Sequence, residues 1–235
     1  MTDTTTHTTD PATIDPAAGA AADRQERQVE QISHVVVRFA GDSGDGMQLT
    51  GDRFTSASAL FGNDLSTFPD YPAEIRAPAG TVNGVSSFQV HISDHDITTP
   101  GDAPNVLVAM NPAALKADLH RLEQNGLLIV NSDAFETRDL EKAGYDHNPL
   151  HDDFLSSYRL VEIPMTSLTQ KATELLGVKA RDSERSKNFF ALGVISWLSS
   201  RPTEPTVEWI EARFKDLVKA SNLAAFKAGY NFGET

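Results

Sequence analysis

The sequence predicts an α/β protein of three layers, α/β/α, around a mostly parallel, mixed sheet. Three observations carry this. Short aliphatic runs such as Val35-Val36-Val37 and Leu127-Leu128-Ile129-Val130 alternate along the chain with segments of helical period. Runs that are apolar throughout suit strands covered by helices on both faces. One run differs: Phe88, Val90 and Ile92 alternate with Gln89 and His91, which predicts a half-exposed strand and makes the sheet mixed.

In chain order, residues 1–32 are dominated by Thr, Ala, Asp and Pro and carry almost no large apolar side chain. Such a stretch cannot bury enough surface to offset the entropy of ordering it, so it reads as a disordered tail before a domain over 33–235. His34 to Ala40 reads as a buried strand that runs into glycines. Met47 to Gly62 reads as a helix, with Met47, Thr50, Phe54, Ala57, Leu60 and Phe61 on its buried face. The prolines and glycines of 69–84 predict a long loop. Asn105 to Met110 is a further buried strand. Asn111 caps a helix from Pro112 to Gln124, and Asn125-Gly126 stops it. Strands at 127–130 and 158–163 follow, the second ended by Pro164. Helices are expected over Ser167 to Leu176, stopped by Gly177, and over the apolar Asn188 to Ser200. Val207, Ile210, Phe214 and Leu217 step along a last helix.

The chain has 235 residues, enough for one large domain or two small ones. It has no cysteine, which removes disulfides, Cys-ligated clusters and a thiol nucleophile. Lys and Arg number 20 against 33 acids, a net charge of −13, with no basic cluster to follow a nucleic-acid backbone. No apolar run reaches membrane-spanning length, and the N-terminus lacks the basic start and apolar centre of a signal peptide. A cytoplasmic protein is the expectation.

The first strand leads into Gly41-Asp42-Ser43-Gly44-Asp45-Gly46 and then a helix. Backbone N–H groups at a helix start suit an anion, and glycines let one approach. The order G-x-x-G-x-G is neither the dinucleotide fingerprint nor a P-loop, and two aspartates oppose a phosphate. A tight β–α turn with no ligand and an anion site both remain open on this loop alone. Gly51, inside the helix, suits close packing on a strand. Gly44-Asp45-Gly46 imitates half of a thiamine diphosphate–magnesium motif, but no Asn stands between Asp64 and Val82 to complete it. The pairs His91/His95 and His147/His151, each with aspartates nearby, read as solvated surface histidines.

The stretch from Phe68 to Val85, FPDYPAEIRAPAGTVNGV, is stiffened by prolines and carries Tyr71, Glu74 and Arg76 close together. It resembles the PDYPAEIRAP segment in the gamma-type domain of 2-oxoacid:ferredoxin oxidoreductases. The match is to the two-subunit, 2-oxoglutarate type, where this domain begins the alpha subunit. The turn Gly41–Gly46 resembles that family's G-x-G-G-x-G turn, with Ser43 in place of a glycine. Met110-Asn111-Pro112-Ala113-Ala114-Leu115 and Arg185-Ser186-Lys187-Asn188-Phe189-Phe190-Ala191-Leu192-Gly193 resemble further family segments, in the family's order.

The resemblance implies a component of an enzyme that oxidatively decarboxylates a 2-oxoacid, 2-oxoglutarate by type. Coenzyme A is the co-substrate, succinyl-CoA and CO2 are the products, and ferredoxin takes the electrons. It implies thiamine diphosphate, Mg2+ and an iron–sulfur cluster on partner domains or the beta subunit. It also implies that this chain alone is inactive, and a fragment, truncated product or split subunit. For this chain it points to Gly41, Asp42, Ser43, Gly44, Asp45, Gly46, Tyr71, Glu74 and Arg76 as residues toward coenzyme A. In that picture Arg76 pairs with a phosphate while Asp42 and Asp45 turn outward; the alternative pairs Arg76 with Glu74 or a partner. Two other readings stand beside it: a stand-alone nucleotide-binding protein, and a non-catalytic assembly module.

Overall fold

The computed structural model describes residues 32–74 and 77–234. The expected tail lies outside them apart from Ile32, and so do Ile75 and Arg76. The strands are β1 (His34–Asp42), β2 (Asp64–Asp70), β3 (Val85–Ser93), β4 (Val106–Ala109), β5 (Leu127–Asn131) and β6 (Arg159–Ile163). They form one sheet in the order β2-β3-β1-β4-β5-β6. β1, β4, β5 and β6 are parallel, and β3 runs against both β1 and β2.

The helices are α1 (Met47–Ala59), α2 (Pro112–Asp118), α3 (Thr137–Ala143), α4 (Met165–Thr173), α5 (Ala180–Ser183), α6 (Lys187–Leu198), α7 (Glu204–Arg213) and α8 (Asp216–Glu234). Alternation along β1 feeds two cores. Val37 and Phe39 join Phe54 of α1, Phe190 of α6 and Phe226 of α8 on one face. Ala40 joins Leu115 of α2 and Leu140 of α3 on the other. The three layers expected from the alternation are therefore present.

The chain leaves β1 for α1 on the first face and leaves β4 for α2 on the second. β1 and β4 are neighbours in the sheet. Their carboxyl ends thus fork apart, and such a switch point opens a crevice at the sheet edge.

Several elements differ from expectation. Asp64–Asp70, with Pro69 and Asp70 assigned to the loop, is an edge strand paired along its length with β3; proline is tolerated at an edge. β3 is not half exposed but buried from end to end. Its polar face lies under the 100–102 segment, where Gln89 Nε2 donates to the carbonyls of Pro100 (3.1 Å) and Asp102 (2.8 Å). His91, expected in solvent, is buried on that same face, 3.4 Å from Asp102 Oδ2. His95 and His147 are exposed and lie beside Asp94 and Asp152. α1 stops at Ala59, so Leu60 and Phe61 are 67% and 47% exposed rather than buried, and Arg201 stacks over the Phe61 ring at 4.6 Å. α2 keeps its Asn111 cap, Oδ1 accepting from the Ala114 N–H at 2.8 Å, but ends at Asp118 and tightens into a 3-10 turn.

The expected last helix is two. α7 ends at Arg213, Phe214 is extended, and α8 then runs 19 residues through Gly229 and Gly233. These glycines are packing devices. A Cβ at Gly193 would collide with the Phe226 carbonyl, one at Gly229 with the Phe190 carbonyl, and one at Gly233 with the Trp197 ring. α6 and α8 therefore run parallel with their backbones touching. Ser186 ties the seam's start, donating to Asn222 Oδ1 at 2.7 Å beside Ser221. This explains why α6 is apolar nearly all round: α1, α4 and α8 all pack against it. At Gly51 a Cβ would likewise collide with Phe88 of β3, the close helix–strand contact expected there.

Among the described residues no helix is long and apolar enough to cross a membrane. Among them, too, no three His, Asp or Glu side chains gather to hold a metal ion.

Candidate functional site

A cavity of about 410 Å³ opens at the fork between β1 and β4. Asp42, the last residue of β1, and Asp45 form one wall. Met110, Asn111 and Pro112, after β4, form the next. Asn131, the last residue of β5, and Asp133 beyond it close the far side. Ala79 and Gly80 lean over from the loop before β3, and Lys187 and Glu184 enter from the start of α6 and the 3-10 turn before it.

The glycine turn is closed on itself. Asp45 Oδ2 accepts from the Asp42 N–H at 3.1 Å, and the Asp42 carbonyl accepts from the Asp45 N–H at 2.9 Å. The Ser43 N–H donates to the Gly84 carbonyl at 3.2 Å. Three donors that an anion would have used are thus engaged. Gly46 stands at φ +77° as the N-cap of α1, a conformation that favours glycine. A Cβ there would come within 2.7 Å of Asn188 Nδ2.

The two aspartates do not turn outward, contrary to the anion picture. Both Asp42 oxygens accept from the Gly80 N–H, at 3.1 and 3.0 Å, which fastens the loop to the turn. Asp45 Oδ1 lies 3.0 Å from Lys187 Nζ, and both side chains are 15% exposed. Glu184 Oε1 stands 3.5 Å from the same ammonium. Burial pushes the Asp42 carboxyl above the ordinary aspartate value and the Asp45 charge adds to this; the Gly80 N–H, Asn111 and Lys187 pull the other way without cancelling it. Burial works against the Lys187 charge, but Asp45 and Glu184 outweigh it and hold the ammonium above the ordinary lysine value.

The far wall is equally committed. Asn131 Nδ2 donates to the Met110 carbonyl and to Thr166 Oγ1, bridging the ends of β4 and β5 to α4. Asp133 accepts from the N–H and hydroxyl of Ser167 at 2.7 and 3.0 Å. Lys142 is paired with Asp139 at 2.7 Å. Among the described residues the lining carries six carboxylates and two amines, with both amines paired. Such a wall repels a bare phosphate and suits uncharged or hydrogen-bond-donating groups.

Of the residues singled out in the sequence, Asp42 and Asp45 line the cavity; Gly41, Ser43, Gly44 and Gly46 build the turn behind them. Gly44 faces open space. Tyr71 is exposed and Glu74 accepts from Asn83 Nδ2 at 3.3 Å, so neither reaches the lining. Arg76 falls outside the described residues. Lys187, Asn131 and Asp133 were not singled out as site residues. For Lys187 a signal existed, because it stands inside one of the segments that carry the family resemblance. Those segments, with Asp42 and Lys187 145 residues apart, meet here: the glycine turn, the proline-rich loop, Met110–Pro112 and Lys187 all line one cavity or build its wall.

Comparison with known proteins agrees with this convergence. Residues 36–232 match the family model described as pyruvate ferredoxin/flavodoxin oxidoreductase. The chain is 55% identical over 227 residues to the 2-oxoglutarate oxidoreductase subunit KorA of Mycobacterium tuberculosis, covering 96% of this chain and 34% of the relative. It is 30% identical to the 2-oxoglutarate synthase subunit KorC of Methanothermobacter thermautotrophicus, covering 82% of this chain and 92% of that subunit. The fold is similar to 2-oxoglutarate:ferredoxin oxidoreductase from Magnetococcus marinus, solved with 2-oxoglutarate, coenzyme A and succinyl-CoA bound. There the TM-score is 0.66 at 25% identity, over 86% of this chain and 31% of that one. The chain thus spans about a third of two of these proteins and nearly all of the third.

Proposed function

The chain belongs to the pyruvate ferredoxin/flavodoxin oxidoreductase family, and from that premise we propose that it is the gamma-type part of a 2-oxoglutarate:ferredoxin oxidoreductase. The reaction joins 2-oxoglutarate and coenzyme A to give succinyl-CoA and CO2, with two electrons passed to ferredoxin. The observation that carries this reading is the meeting of the distant family-like segments around one cavity at the switch point, in a chain 55% identical to a 2-oxoglutarate oxidoreductase subunit.

The residues present do not fit the redox cofactors of such a reaction. There is no cysteine to ligate a cluster. Asp45 of the Gly-Asp-Gly sequence is spent on Lys187 and on the Asp42 N–H rather than open to a cation. Thiamine diphosphate, Mg2+ and the iron–sulfur cluster therefore belong to partner domains or a beta subunit, and ferredoxin meets the complex there. The proposed setting is the cytoplasm.

This chain contributes a shaped surface. The rigid turn, the fastened loop and the Asn111 and Asn131 amides form a wall along which the uncharged part of coenzyme A passes, while its phosphates stay clear of Asp42 and Asp45. Arg76 is the proposed phosphate contact, on the ground of its charge and of its place in the family-like loop. In the assembled enzyme, Arg76→Ala raises the apparent KM for coenzyme A and spares decarboxylation measured without it; equal loss of both activities assigns the loop to assembly instead. The reading as a whole is tested by co-purification. The chain should bring down a partner containing thiamine diphosphate and iron that reduces ferredoxin with 2-oxoglutarate and coenzyme A, while the purified 235-residue chain alone turns over nothing. Turnover by the chain alone, or a partner lacking both groups, overturns it.

A further inference from the structure

We propose that Lys187 is a positioning residue that sets, through Asp45 and Asp42, where the Ala79–Gly80 wall of the cavity stands. The contacts form a relay. Lys187 Nζ holds Asp45 Oδ1 at 3.0 Å. The other oxygen of Asp45 accepts from the Asp42 N–H at 3.1 Å. The Asp42 carboxylate in turn accepts from the Gly80 N–H through both oxygens, at 3.1 and 3.0 Å. A helix start is thereby joined to a loop 107 residues earlier in the chain with no direct contact needed between them.

Charge explains why the ammonium is required. Asp42 and Asp45 are two carboxylates in one short turn, and like charges brought out of water repel. Among the described residues Lys187 is the cation that faces them, with Glu184 behind it; Lys142 stands near Gly80, its Nζ 3.6 Å from where a Cβ would be. Without Lys187 the repulsion is relieved by swinging Asp45 away, which frees the Asp42 N–H, or by swinging Asp42 away, which frees Gly80. The raised pKa of Lys187 keeps its charge present across the working pH range. The relay does not rest on the function proposed above, and it is measurable without turnover.

The test is amide hydrogen exchange in the full chain, read at Gly80 against Val108 in the core of β4, which reports global opening. Asp42→Asn should speed exchange at Gly80 about tenfold by replacing a charge-assisted bond with a weaker one. Lys187→Met should speed it about three- to tenfold with Val108 unchanged, and Lys187→Arg should restore the slow rate. Because the relay is in series, the Lys187→Met/Asp42→Asn double variant should exchange no faster than Asp42→Asn. If Lys187→Met leaves Gly80 at the wild-type rate, or if the two effects multiply, the relay is wrong. Should Lys187→Met speed Val108 as well, Lys187→Gln, which keeps a donor for Asp45 but not the charge, must speed Gly80 with Val108 unchanged.

Discussion

Four residues apart on one face of β1, Arg38 and Asp42 each anchor a cluster of charge. Arg38 is sealed in. Its Nε reaches Asp118 of α2 and one terminal nitrogen reaches Asp70 at the end of β2, both at 2.8 Å, and Gln89 of β3 lies at 3.4 Å. The guanidinium is fully buried. Asp42 has a comparable set of partners, yet one side of its cluster is left to a cavity. The difference lies in position along the strand. In mid-strand, neighbouring strands and a helix surround a charge and turn it into a tie between elements. At the carboxyl end, where the chain forks, partners come from a loop and a distant helix, and space remains for another molecule.

The largest effect that could break this contrast is at Arg38. Arg38→Met keeps most of the volume but strips Asp118 of its buried partner, leaving it only the part-exposed Arg121 at 3.4 Å, at a cost of about 3–5 kcal/mol in denaturant unfolding. A loss under about 1 kcal/mol, typical of surface positions, would mean the cluster is not sealed. Next is the turn. Gly46→Ala forces a side chain into the left-handed region and against Asn188, and should cost about 1–2 kcal/mol. Stability within about 0.3 kcal/mol of wild type would show that the turn is loose.

A smaller effect concerns pH. The raised pKa of Asp42 means the folded chain holds that proton more tightly than the unfolded one. Its contribution is fully present below the ordinary aspartate value of 3.8 and is lost as pH rises through the raised folded pKa. Asp42→Asn removes this titration. The variant should therefore gain on wild type as pH climbs through that window, visible as converging or crossing plots of Tm against pH. Parallel plots would show that Asp42 ionises as freely as in the unfolded chain. The smallest expected effect is none: deletion of residues 1–31, which offer almost no large apolar side chains for a core, should leave Tm within experimental scatter.

What could be read in advance depended on how local the cause was. β1 and the Asn111 cap were legible because a β-branched run and a capping side chain act within a few residues. β2 was not, because its pairing with β3 comes from across a loop, and Pro69 argues against a strand until the edge position is known. Gln89 and His91 suggested a wet face, since nothing near them shows that Arg38 and the 100–102 segment cover it. Glycine disfavours a helix locally, whereas the purpose of Gly229 and Gly233 is set by α6 some 36 residues earlier. At the site, Asp42 and Asp45 stood out within one motif, but the ammonium that completes their chemistry enters from the other half of the chain.

The glycine seam between α6 and α8 has a mechanical consequence. Side chains between helices act as springs, absorbing small shifts by changing rotamer. Here carbonyl meets α-carbon at Gly193 and Gly229, and Gly233 lies flat on Trp197, so there is little spring to compress. α8 spans 19 residues, about 28 Å, as a stiff rod laid along its neighbour. A sideways shift of α8 therefore meets the α6 backbone with little side chain between them, and α6 begins at Lys187, on the cavity wall. Movement of one helix against the other is thereby coupled to the residue that grips the turn.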